Sequence, residues 1–214
     1  MAGIFISFEG NDGSGKTSVL HALKDKLLKE DGIEIILTRE PGGNKIAEEI
    51  RSVILDKMNT EMDPKTEALL YAAARRQHLV ENVVPLLKQN KIVVSDRYID
   101  SSLAYQGYAR GIGIENVYKI NMFATDNTLP DLTIFFDLDP ILGLQRIESN
   151  SQREVNRLDV EKLNFHQKAH QGYLEVIKRF PERIKVIDAS KSFDDVLDEV
   201  YVLVKNFIKN KENK

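Results

Sequence analysis

The stretch Gly10-Asn-Asp-Gly-Ser-Gly-Lys-Thr17 follows a short apolar run, Ile4–Phe8, and precedes a segment with helical spacing of its apolar residues. It matches the pattern G-x-x-x-x-G-K-[ST] at every fixed position. Glycines in such a loop let backbone N–H groups surround a phosphate at the N-terminus of the following helix. The sequence therefore predicts a nucleoside-triphosphate site formed by the eight residues of this loop: Gly10, Asn11, Asp12, Gly13, Ser14, Gly15, Lys16 and Thr17.

Two side chains of this loop have expected roles with a bound triphosphate. Lys16 is expected to bridge β- and γ-phosphate oxygens, and Thr17 is expected to hold Mg²⁺. The loop alone does not distinguish a GTPase, a motor ATPase, a small-molecule kinase and a module that only binds nucleotide. A GTPase also needs D-x-x-G and N-K-x-D motifs, but Asp137 is followed by Leu-Asp-Pro and neither mid-chain Asn-Lys pair has an Asp two residues later. These observations argue against a GTPase.

The rest of the chain alternates between strand-like and helix-like segments. Segments of helical period separate five short runs that are apolar on both faces: Ile4–Phe8, Ile33–Leu37, Ile92–Val94, Leu132–Phe136 and Ile184–Ile187. Such runs are typical of parallel strands buried on both sides, and their alternation with helices predicts a doubly wound α/β fold. Because no repeat or linker divides the chain, we expect a single domain over residues 1–214. In such sheets ligands bind beyond the carboxyl ends of the strands.

The composition excludes several kinds of protein. The 30 Lys and Arg residues against 33 Asp and Glu residues give a net charge of −3, which argues against a broad basic surface for nucleic acid or anionic membranes. The chain has no cysteine, so disulfides, thiolate metal sites and cysteine nucleophiles are excluded. No apolar run approaches the length of a membrane helix, and the N-terminal segment reaches a charge at Glu9 too early for a signal peptide. We therefore expect a cytoplasmic protein.

Charged residues follow the second and third predicted strands. The third strand leads into Ser95-Asp96-Arg97-Tyr98, where the carboxylate can hold magnesium waters and the arginine can fork onto a phosphate. A structural Asp–Arg surface pair is the alternative. The second strand leads into Thr38-Arg39-Glu40-Pro41-Gly42-Gly43, and Arg51 lies in the next helical segment. Arginines that converge opposite a phosphate loop are costly without an anion between them, so the pattern favours a second, phosphorylated substrate that accepts the transferred group.

The order and spacing of these motifs resemble those of bacterial thymidylate kinases. Besides the phosphate loop and Thr38–Gly43, the resemblance rests on Tyr71-Ala-Ala-Ala-Arg-Arg76, Asp96-Arg-Tyr98, Ser101-Ser-Leu-Ala-Tyr-Gln-Gly107, Pro130-Asp131-Leu132-Thr133, Asn156-Arg-Leu-Asp159 and Asp188-Ala189-Ser190. It covers nearly the whole chain. It implies a P-loop nucleoside-monophosphate-kinase fold with five parallel strands in the order 2-3-1-4-5 and helices on both faces. It also implies transfer of the ATP γ-phosphate to dTMP, giving dTDP and ADP in dTTP biosynthesis, with Mg²⁺ and a homodimer.

The resemblance implies a group of residues around the acceptor phosphate. Arg39 and Arg97 are expected to bind the dTMP phosphate with the assistance of Arg51, and so to screen the repulsion between two anions that must approach in line. Asp12 matches an acidic position near the sugar 3′-hydroxyl and these arginines, although a turn-forming Asp beside a glycine remains an equal alternative. The residues expected to organise the magnesium and its waters, in addition to Thr17, are Glu40 and Asp96, and Glu40 is also expected beside the second substrate.

A second implied group recognises the nucleoside. Tyr71 matches an aromatic residue that stacks on thymine, although an aromatic in an apolar helical stretch is more often part of the core. Arg75 is expected to donate to an exocyclic oxygen of the base, Gln106 to read the pyrimidine edge and Ser102 to contact it. Tyr105 is expected to crowd the 2′ position of the sugar.

A mobile lid is expected at about residues 148–157, where the sequence is polar and lacks apolar periodicity. The phosphate loop has Gly13-Ser14 where some members of the family have an arginine. The resemblance therefore implies that the lid supplies the cation when it closes. Arg153 and Arg157 are the candidates, and Arg146 is a weaker one because it lies earlier on a helix; an ordinary solvated loop is the alternative. Ala189 and Ser190 follow the fifth strand and are expected beside the adenine of ATP.

The sequence therefore predicts an ATP-dependent dTMP kinase. Two alternatives stay open, namely a kinase of another deoxynucleotide or deoxynucleoside, and a regulatory ATP-binding module that performs no transfer. A deoxynucleoside kinase has no need of convergent phosphate-binding arginines. The presence of Lys16, Asp96 and Arg97 argues against the module.

Overall fold

The structure is a computed structural model that describes residues 3–149, 157–158 and 161–212. Five parallel strands form one sheet in the order β2-β3-β1-β4-β5, which confirms the predicted α/β class and strand order. The strands are β1 (Ile4–Gly10), β2 (Ile35–Arg39), β3 (Ile92–Asp96), β4 (Leu132–Asp137) and β5 (Ile184–Asp188).

Helices connect the strands and lie on both faces of the sheet. In chain order they are α1 (Lys16–Asp31), α2 (Lys45–Leu55), α3 (Pro64–His78), α4 (Val84–Lys88), α5 (Ile99–Ser102), α6 (Ile114–Thr125), α7 (Pro140–Glu148), α8 (Leu163–Arg179) and α9 (Phe193–Glu212). Two further segments are π-helical: Leu79–Val83 directly after α3 and Leu103–Ala109 directly after α5. None of the helices in the described ranges is long and apolar enough to span a membrane.

The alternation of side chains along β1 divides the core into two buried clusters. Ile4, Ile6 and Phe8 belong to one cluster, which also contains the apolar stripes of α1 and α9. Phe5 belongs to the cluster on the opposite face, to which α6 and α8 contribute. Each large apolar side chain buried in this way contributes roughly 1.5–3 kcal/mol to folding. The Phe5 face continues along β1 to Glu9, so a charged residue reaches the buried face at the end of the strand.

The second strand begins two residues later than the apolar run predicts. Gly32 ends α1 with a φ of 66°, and its N–H donates to the carbonyl oxygen of Leu28. The N–H of Ile33 donates to the carbonyl oxygen of Leu27 at 3.2 Å. Because this bond satisfies an open carbonyl at the helix end, Ile33 belongs to the helix terminus and the ladder starts at Ile35.

Three neighbouring strands end among the predicted site residues. The strands β1, β2 and β3 end in Gly10, Arg39 and Asp96, beyond the apolar runs that predicted them. The ladder pairs Asp96 with Arg39 on one side and with Phe8 on the other. The fold therefore gathers the predicted site residues at one edge of the sheet, as expected for this class of fold.

Candidate active site

The loop between β1 and α1 has a backbone conformation that glycine adopts most easily. Gly13 and Gly15 have φ values of 79° and 85°, and a Cβ atom on Gly13 would lie 2.1 Å from the carbonyl oxygen of Gly143. Gly15 occupies the cap position of α1, and no side chain of the described residues caps that helix. The first turn of α1 therefore faces the adjoining cavity with open N–H groups, which is the arrangement that binds phosphate.

This loop cavity is lined by Asp12, Gly13, Gly15, Lys16, Thr17, Ser18, Arg146 and Ile147. Lys16 is buried, and its Nζ donates to the carbonyl oxygen of Asn11 at 2.9 Å and to Ser14 Oγ at 3.4 Å. Burial and the nearby Arg97 together lower the pKa of the Lys16 ammonium to about 8, although neighbouring carboxylates partly offset both effects. A phosphate in the cavity would stabilise the charged form of Lys16 and raise its pKa again.

Thr17 and Asp96 meet at the edge of the loop cavity. Thr17 Oγ1 donates to Asp96 Oδ2 at 2.5 Å. A hydroxyl and a carboxylate oxygen, close together beside a phosphate loop, are the ligand types that a hard cation such as Mg²⁺ prefers. The structure therefore brings together two of the three residues that the sequence predicts for the metal.

Glu40, the third of these residues, lies in a different environment. It is buried, its Oε2 accepts from Arg75 Nε at 2.7 Å, and its Oε1 accepts from His78 Nδ1 at 2.9 Å. Burial opposes ionisation, but Arg75 and His78 outweigh it and hold the pKa of Glu40 below its usual range. Both carboxylate oxygens of Glu40 are thus directed at groups of α3, so this residue anchors the end of β2 rather than facing Thr17.

Arg97 and Asp12 form an ion pair between the loop cavity and a second cavity. Arg97 Nη2 lies 2.6 Å from Asp12 Oδ1, and Arg97 Nη1 donates to Ser101 Oγ and Tyr173 OH. Burial lowers the pKa of Arg97, but Asp12 together with Tyr105, Tyr173 and Asp96 outweighs it, so the net pKa is raised and the guanidinium stays charged. Its backbone φ of 71° is unusual for a residue other than glycine. The residue is therefore held firmly at a point where the two cavities meet.

The second, central cavity lies beside the carboxyl ends of β2 and β3. Its walls contain every residue that the sequence predicts for the second substrate except Arg39: Asp12, Glu40, Arg51, Tyr71, Arg75, Arg97, Ser102, Tyr105 and Gln106. Asp12 lines both this cavity and the loop cavity. The two cavities are therefore adjacent, with the ion pair of Asp12 and Arg97 at their boundary.

Arg39 and Arg51 converge on the turn after β2. Arg39 Nη1 and Arg51 Nη1 donate to the carbonyl oxygen of Pro41, at 2.9 and 3.0 Å. The side chain of Arg39 is half exposed and also pairs with Glu48, with 2.6 Å between Nη2 and Oε1. Arg51 lines the central cavity, whereas Arg39 lies outside its wall in this structure. The structure thus places two cations next to each other, one at the cavity and one at its rim.

Polar contacts fix the side chains at the far end of the central cavity. Arg75 donates to Ser102 Oγ and to the carbonyl oxygen of Tyr98, both at 3.0 Å, and also to Asn121. Because Arg75 can only donate, Ser102 Oγ is an acceptor in this bond and keeps its own proton for another partner. Tyr105 OH lies 3.4 Å from Asp12 Oδ2. Arg75 is thus part of a buried network as well as a cavity wall.

Ala189 and Ser190, the residues predicted for the adenine, lie in the turn after β5, and the lid candidate Arg146 bonds to this turn. Ala189 is tied to the sheet by its N–H, and its carbonyl oxygen accepts from Arg146 Nη1 at 3.2 Å. Ser190 is exposed and bonds to Asp188. Arg146, expected to be the weaker lid candidate, is the arginine among the described residues that lines the loop cavity. The cavity is therefore connected to the turn after β5 through this side chain.

The predicted lid falls largely outside the described residues, and so does Arg153. Arg157 is described and buried: its Nη2 lies 2.5 Å from Glu67 Oε2, and its Nε donates to the carbonyl oxygen of Ile54 at 2.8 Å. The next residue, Leu158, lines the central cavity. In this structure Arg157 is therefore held beside the central cavity and not among the residues of the loop cavity.

Both the sequence and the fold are similar to those of known thymidylate kinases. The sequence model of the thymidylate kinase family matches residues 8–200. A thymidylate kinase of Geobacillus sp. (strain WCH70) is 59% identical over 196 residues, which are 92% of this chain and 93% of that protein. One from Oceanobacillus iheyensis is 55% identical over 212 residues, covering 99% and 94%. The crystal structure of the Ehrlichia chaffeensis thymidylate kinase matches with a TM-score of 0.76 and 32% identity, over 96% of this chain and 99% of that one.

The chain belongs to the thymidylate kinase family.

In this thymidylate kinase family member, one buried carboxyl group of the site is absent from the sequence-based predictions. Glu9 Oε1 accepts from the N–H of Tyr98 at 2.7 Å, and Oε2 accepts from Ser101 Oγ at 2.6 Å and Tyr173 OH at 3.1 Å. Burial, with a smaller contribution from Asp100, raises the pKa of Glu9 to about 7. Glu9 therefore holds the two hydroxyl groups to which Arg97 donates. The signal in the sequence is a charge at an inward-facing position of a buried strand.

A second missed residue, Glu67, lies on α3. It occupies the same helix face as Tyr71 and Arg75, because positions i, i+4 and i+8 lie above one another on a helix. That spacing could have indicated Glu67 as a neighbour of the predicted base-binding side chains. Its partners include Gln106, another residue expected to recognise the base.

Proposed function

We propose that the chain transfers the γ-phosphate of ATP to dTMP, giving dTDP and ADP. The observation that carries this proposal is the position of the Asp12–Arg97 ion pair at the boundary of two adjacent cavities. One cavity has the glycine loop and ammonium of a triphosphate site, and the other has arginines at one end and an aromatic and amide side chain at the other. Membership of the thymidylate kinase family supports the assignment of dTMP to the second cavity.

At the acceptor end, Arg97 and Arg51 bind the dTMP phosphate, and Arg39 swings from Glu48 to join them. Two anions must approach in line during phosphoryl transfer, so positive charge between them removes much of the barrier. The contact between Arg97 and Asp12 keeps the guanidinium at the boundary before substrate binds. Asp12 is also placed to accept a hydrogen bond from the sugar 3′-hydroxyl.

At the donor end, the open N–H groups of the loop and Lys16 bind the β- and γ-phosphates. Lys16 acts on negative charge that develops on the oxygen between these phosphates as the bond breaks. The turn at Ala189 and Ser190 borders the adenine. Arg146 lines the loop cavity, and Arg153 is the lid residue that supplies a further cation when the site closes.

Thr17 and Asp96 fit a magnesium ion, since their oxygen atoms adjoin each other next to the loop cavity. The ion would neutralise charge on the β- and γ-phosphate oxygens during the transfer. Glu40 does not belong to this pair, because its carboxylate is taken by Arg75 and His78. We therefore assign Glu40 a supporting role for Arg75 in place of the predicted contact with the metal.

In the central cavity, Tyr71 stacks on thymine, Arg75 and Ser102 donate towards a carbonyl oxygen of the base, and Gln106 pairs with its edge. Tyr105 packs against the 2′ carbon of the sugar. A ribose hydroxyl there would lose its hydration without gaining a partner, which costs roughly 1–3 kcal/mol. The cavity would thereby prefer a deoxyribonucleotide.

The proposal includes a homodimer formed through α3 and α6. Leu69 on α3 and Val80 on its π-helical extension are both exposed. Phe123 on the adjacent α6 is 88% exposed. Apolar side chains this exposed on neighbouring helices are typical of a protein interface. Light scattering should give twice the mass of one chain, and Phe123→Glu should shift it towards the monomer.

The experiment that tests the function is a coupled assay of ADP release from ATP with a panel of nucleoside monophosphates and deoxynucleosides. The proposal predicts the highest kcat/KM for dTMP and dependence on added Mg²⁺. A preference for thymidine over dTMP would instead indicate a deoxynucleoside kinase. ATP binding without ADP release for any acceptor would indicate a module that only binds nucleotide.

A further inference from the structure

Glu67 is a buried carboxylate surrounded by three donors from distant parts of the chain. Its Oε1 accepts from Gln106 Nε2 at 2.9 Å and from Arg110 Nε at 3.3 Å. Its Oε2 accepts from Arg110 Nη2 at 3.2 Å and from Arg157 Nη2 at 2.5 Å. Burial raises the pKa of Glu67, but Arg110, Gln106 and Arg157 outweigh this effect and hold it below the usual range. At neutral pH the group is therefore an anion that can only accept hydrogen bonds.

The charge on Glu67 settles which way the amide of Gln106 points. Because a carboxylate has no proton to donate, the atom of Gln106 that faces it must be the amide nitrogen. One N–H of Nε2 is thus used by Glu67. The second N–H and the carbonyl oxygen Oε1 remain for the central cavity, which Gln106 lines. Gln106 is also buried, so few other orientations of its side chain are available.

An amide edge with a fixed direction can distinguish two kinds of pyrimidine. Thymine and uracil present N3–H as a donor between two carbonyl oxygens, whereas cytosine presents N3 as an acceptor beside an amino donor. The edge of Gln106, with one acceptor and one donor, can match either pattern if the amide is free to rotate by 180°. That rotation would place Oε1 against the carboxylate of Glu67, where two acceptors repel and a charge-assisted hydrogen bond is lost.

We infer that Glu67 is a positioning residue that prevents this rotation and so makes Gln106 selective for a pyrimidine with N3–H over cytosine. The inference rests on the proposed function, because it assumes that the base of the acceptor occupies the central cavity. Arg110 contacts both oxygens of the carboxylate, and Arg157 binds Oε2, the oxygen that Gln106 does not use. Arg110 is itself fixed by Glu161, 2.6 Å away, and by the ring of Phe165 beneath it.

The direct test is Glu67→Gln, with kcat/KM measured for dTMP, dUMP and dCMP. A neutral amide at position 67 can donate or accept, so it permits both orientations of Gln106. We expect kcat/KM for dCMP, relative to that for dTMP, to increase by at least about tenfold. In the variant, the rotated amide of Gln106 no longer places Oε1 against a buried carboxylate. The ratio of dUMP to dTMP should stay within about twofold, because uracil has the same edge as thymine.

Two further variants separate positioning from a purely structural role. Glu161→Gln removes the other carboxylate that binds Arg110 and has no contact with Gln106 among the described residues, so the dCMP to dTMP ratio should not change. Glu67→Asp keeps the negative charge for both arginines but moves it away from Gln106 by one methylene. It should give an intermediate ratio.

A measurement on the unsubstituted protein keeps the inference testable if the Glu67 variants do not fold. The two Nε2 protons of Gln106 should exchange with solvent at clearly different rates in an NMR experiment on the protein without nucleotide, because one is donated to a buried carboxylate and the other faces the central cavity. Equal and rapid exchange of both protons would contradict the inference. An equal decrease of kcat/KM for all three nucleotides in Glu67→Gln would also overturn it. Failure of the unsubstituted protein to phosphorylate dTMP would instead overturn the proposed function.

Discussion

Asp12 Oδ1 lies 2.6 Å from Arg97 Nη2, and this ion pair separates the cavity of the glycine loop from the central cavity. Asp12 belongs to the loop after β1, whereas Arg97 follows β3 directly. The pairing of β1 with β3 brings these two strand ends together. The relationship is therefore a direct consequence of the strand order, and it places a fixed cation where the two phosphates of a transfer reaction would meet.

Replacing Arg97 should affect both binding of the acceptor and the transfer step. Arg97→Ala removes a cation that binds the acceptor phosphate in the ground state and neutralises charge in the transition state. We expect KM for dTMP to rise and kcat to fall, each by about tenfold or more. Steady-state kinetics with either substrate varied will measure both. A rise in KM for ATP alone would show that Arg97 belongs to the other phosphate.

Tyr105 should control the preference for deoxyribose. Tyr105→Ala opens space beside the 2′ carbon, so the ratio of kcat/KM for dTMP to that for its ribose counterpart should fall by roughly tenfold, mainly because the ribonucleotide improves. Tyr105→Phe removes only the hydroxyl 3.4 Å from Asp12 Oδ2 and should leave the ratio nearly unchanged. The same ratio in all three proteins would show that Tyr105 only packs the core.

Arg153 and Arg157 should differ in what they affect. Arg157→Ala leaves the buried Glu67 with one partner fewer, so the free energy of unfolding should fall by roughly 2 kcal/mol. Arg153→Ala should lower kcat with little effect on stability, because a lid cation contributes mainly in the closed site. Urea unfolding and steady-state kinetics on both variants will measure this difference. If neither variant changes kcat, Arg146 becomes the residue to replace, because it lines the loop cavity.

Glu9 should make stability depend on pH. Burial raises its pKa from 4.5 to about 7 in the folded protein, so the folded state binds a proton that the unfolded state releases. The contribution of Glu9 to the free energy of unfolding should therefore be fully present below pH 4.5. It should be lost as the pH rises from about 4.5 to 7. Glu9→Gln removes this dependence. From pH 4.5 to 8, the free energy of unfolding of Glu9→Gln should increase relative to the unsubstituted protein by about 3 kcal/mol. A difference independent of pH would contradict a raised pKa.

The sequence was sufficient to predict the fold because its signals are local. The five apolar runs and the glycine loop indicate strands and a strand–loop–helix unit without knowledge of any distant contact. The strand order came from the resemblance to a family and is confirmed. Even the late start of β2 has a local cause, since Gly32 ends α1 in a left-handed conformation and Ile33 closes the helix.

The partners of the charged residues were not predictable in the same way. Glu40 follows Arg39 in the sequence, but its carboxylate is taken by Arg75 and His78, which lie 35 and 38 residues further along the chain. Arg157 lies next to a polar stretch and is paired with Glu67, 90 residues earlier. Such pairs depend on how helices pack over the sheet. No pattern within one segment encodes them.

The central claim is that phosphate passes directly from ATP in the loop cavity to dTMP in the central cavity. The most direct measurement follows the label from ATP carrying ³²P at the γ position, with dTMP present and Lys16→Ala as a control. The account predicts that the label appears in dTDP at the rate of ADP release, and that Lys16→Ala slows this by about a hundredfold or more while remaining folded. Label released as inorganic phosphate, with none in dTDP, would contradict the account.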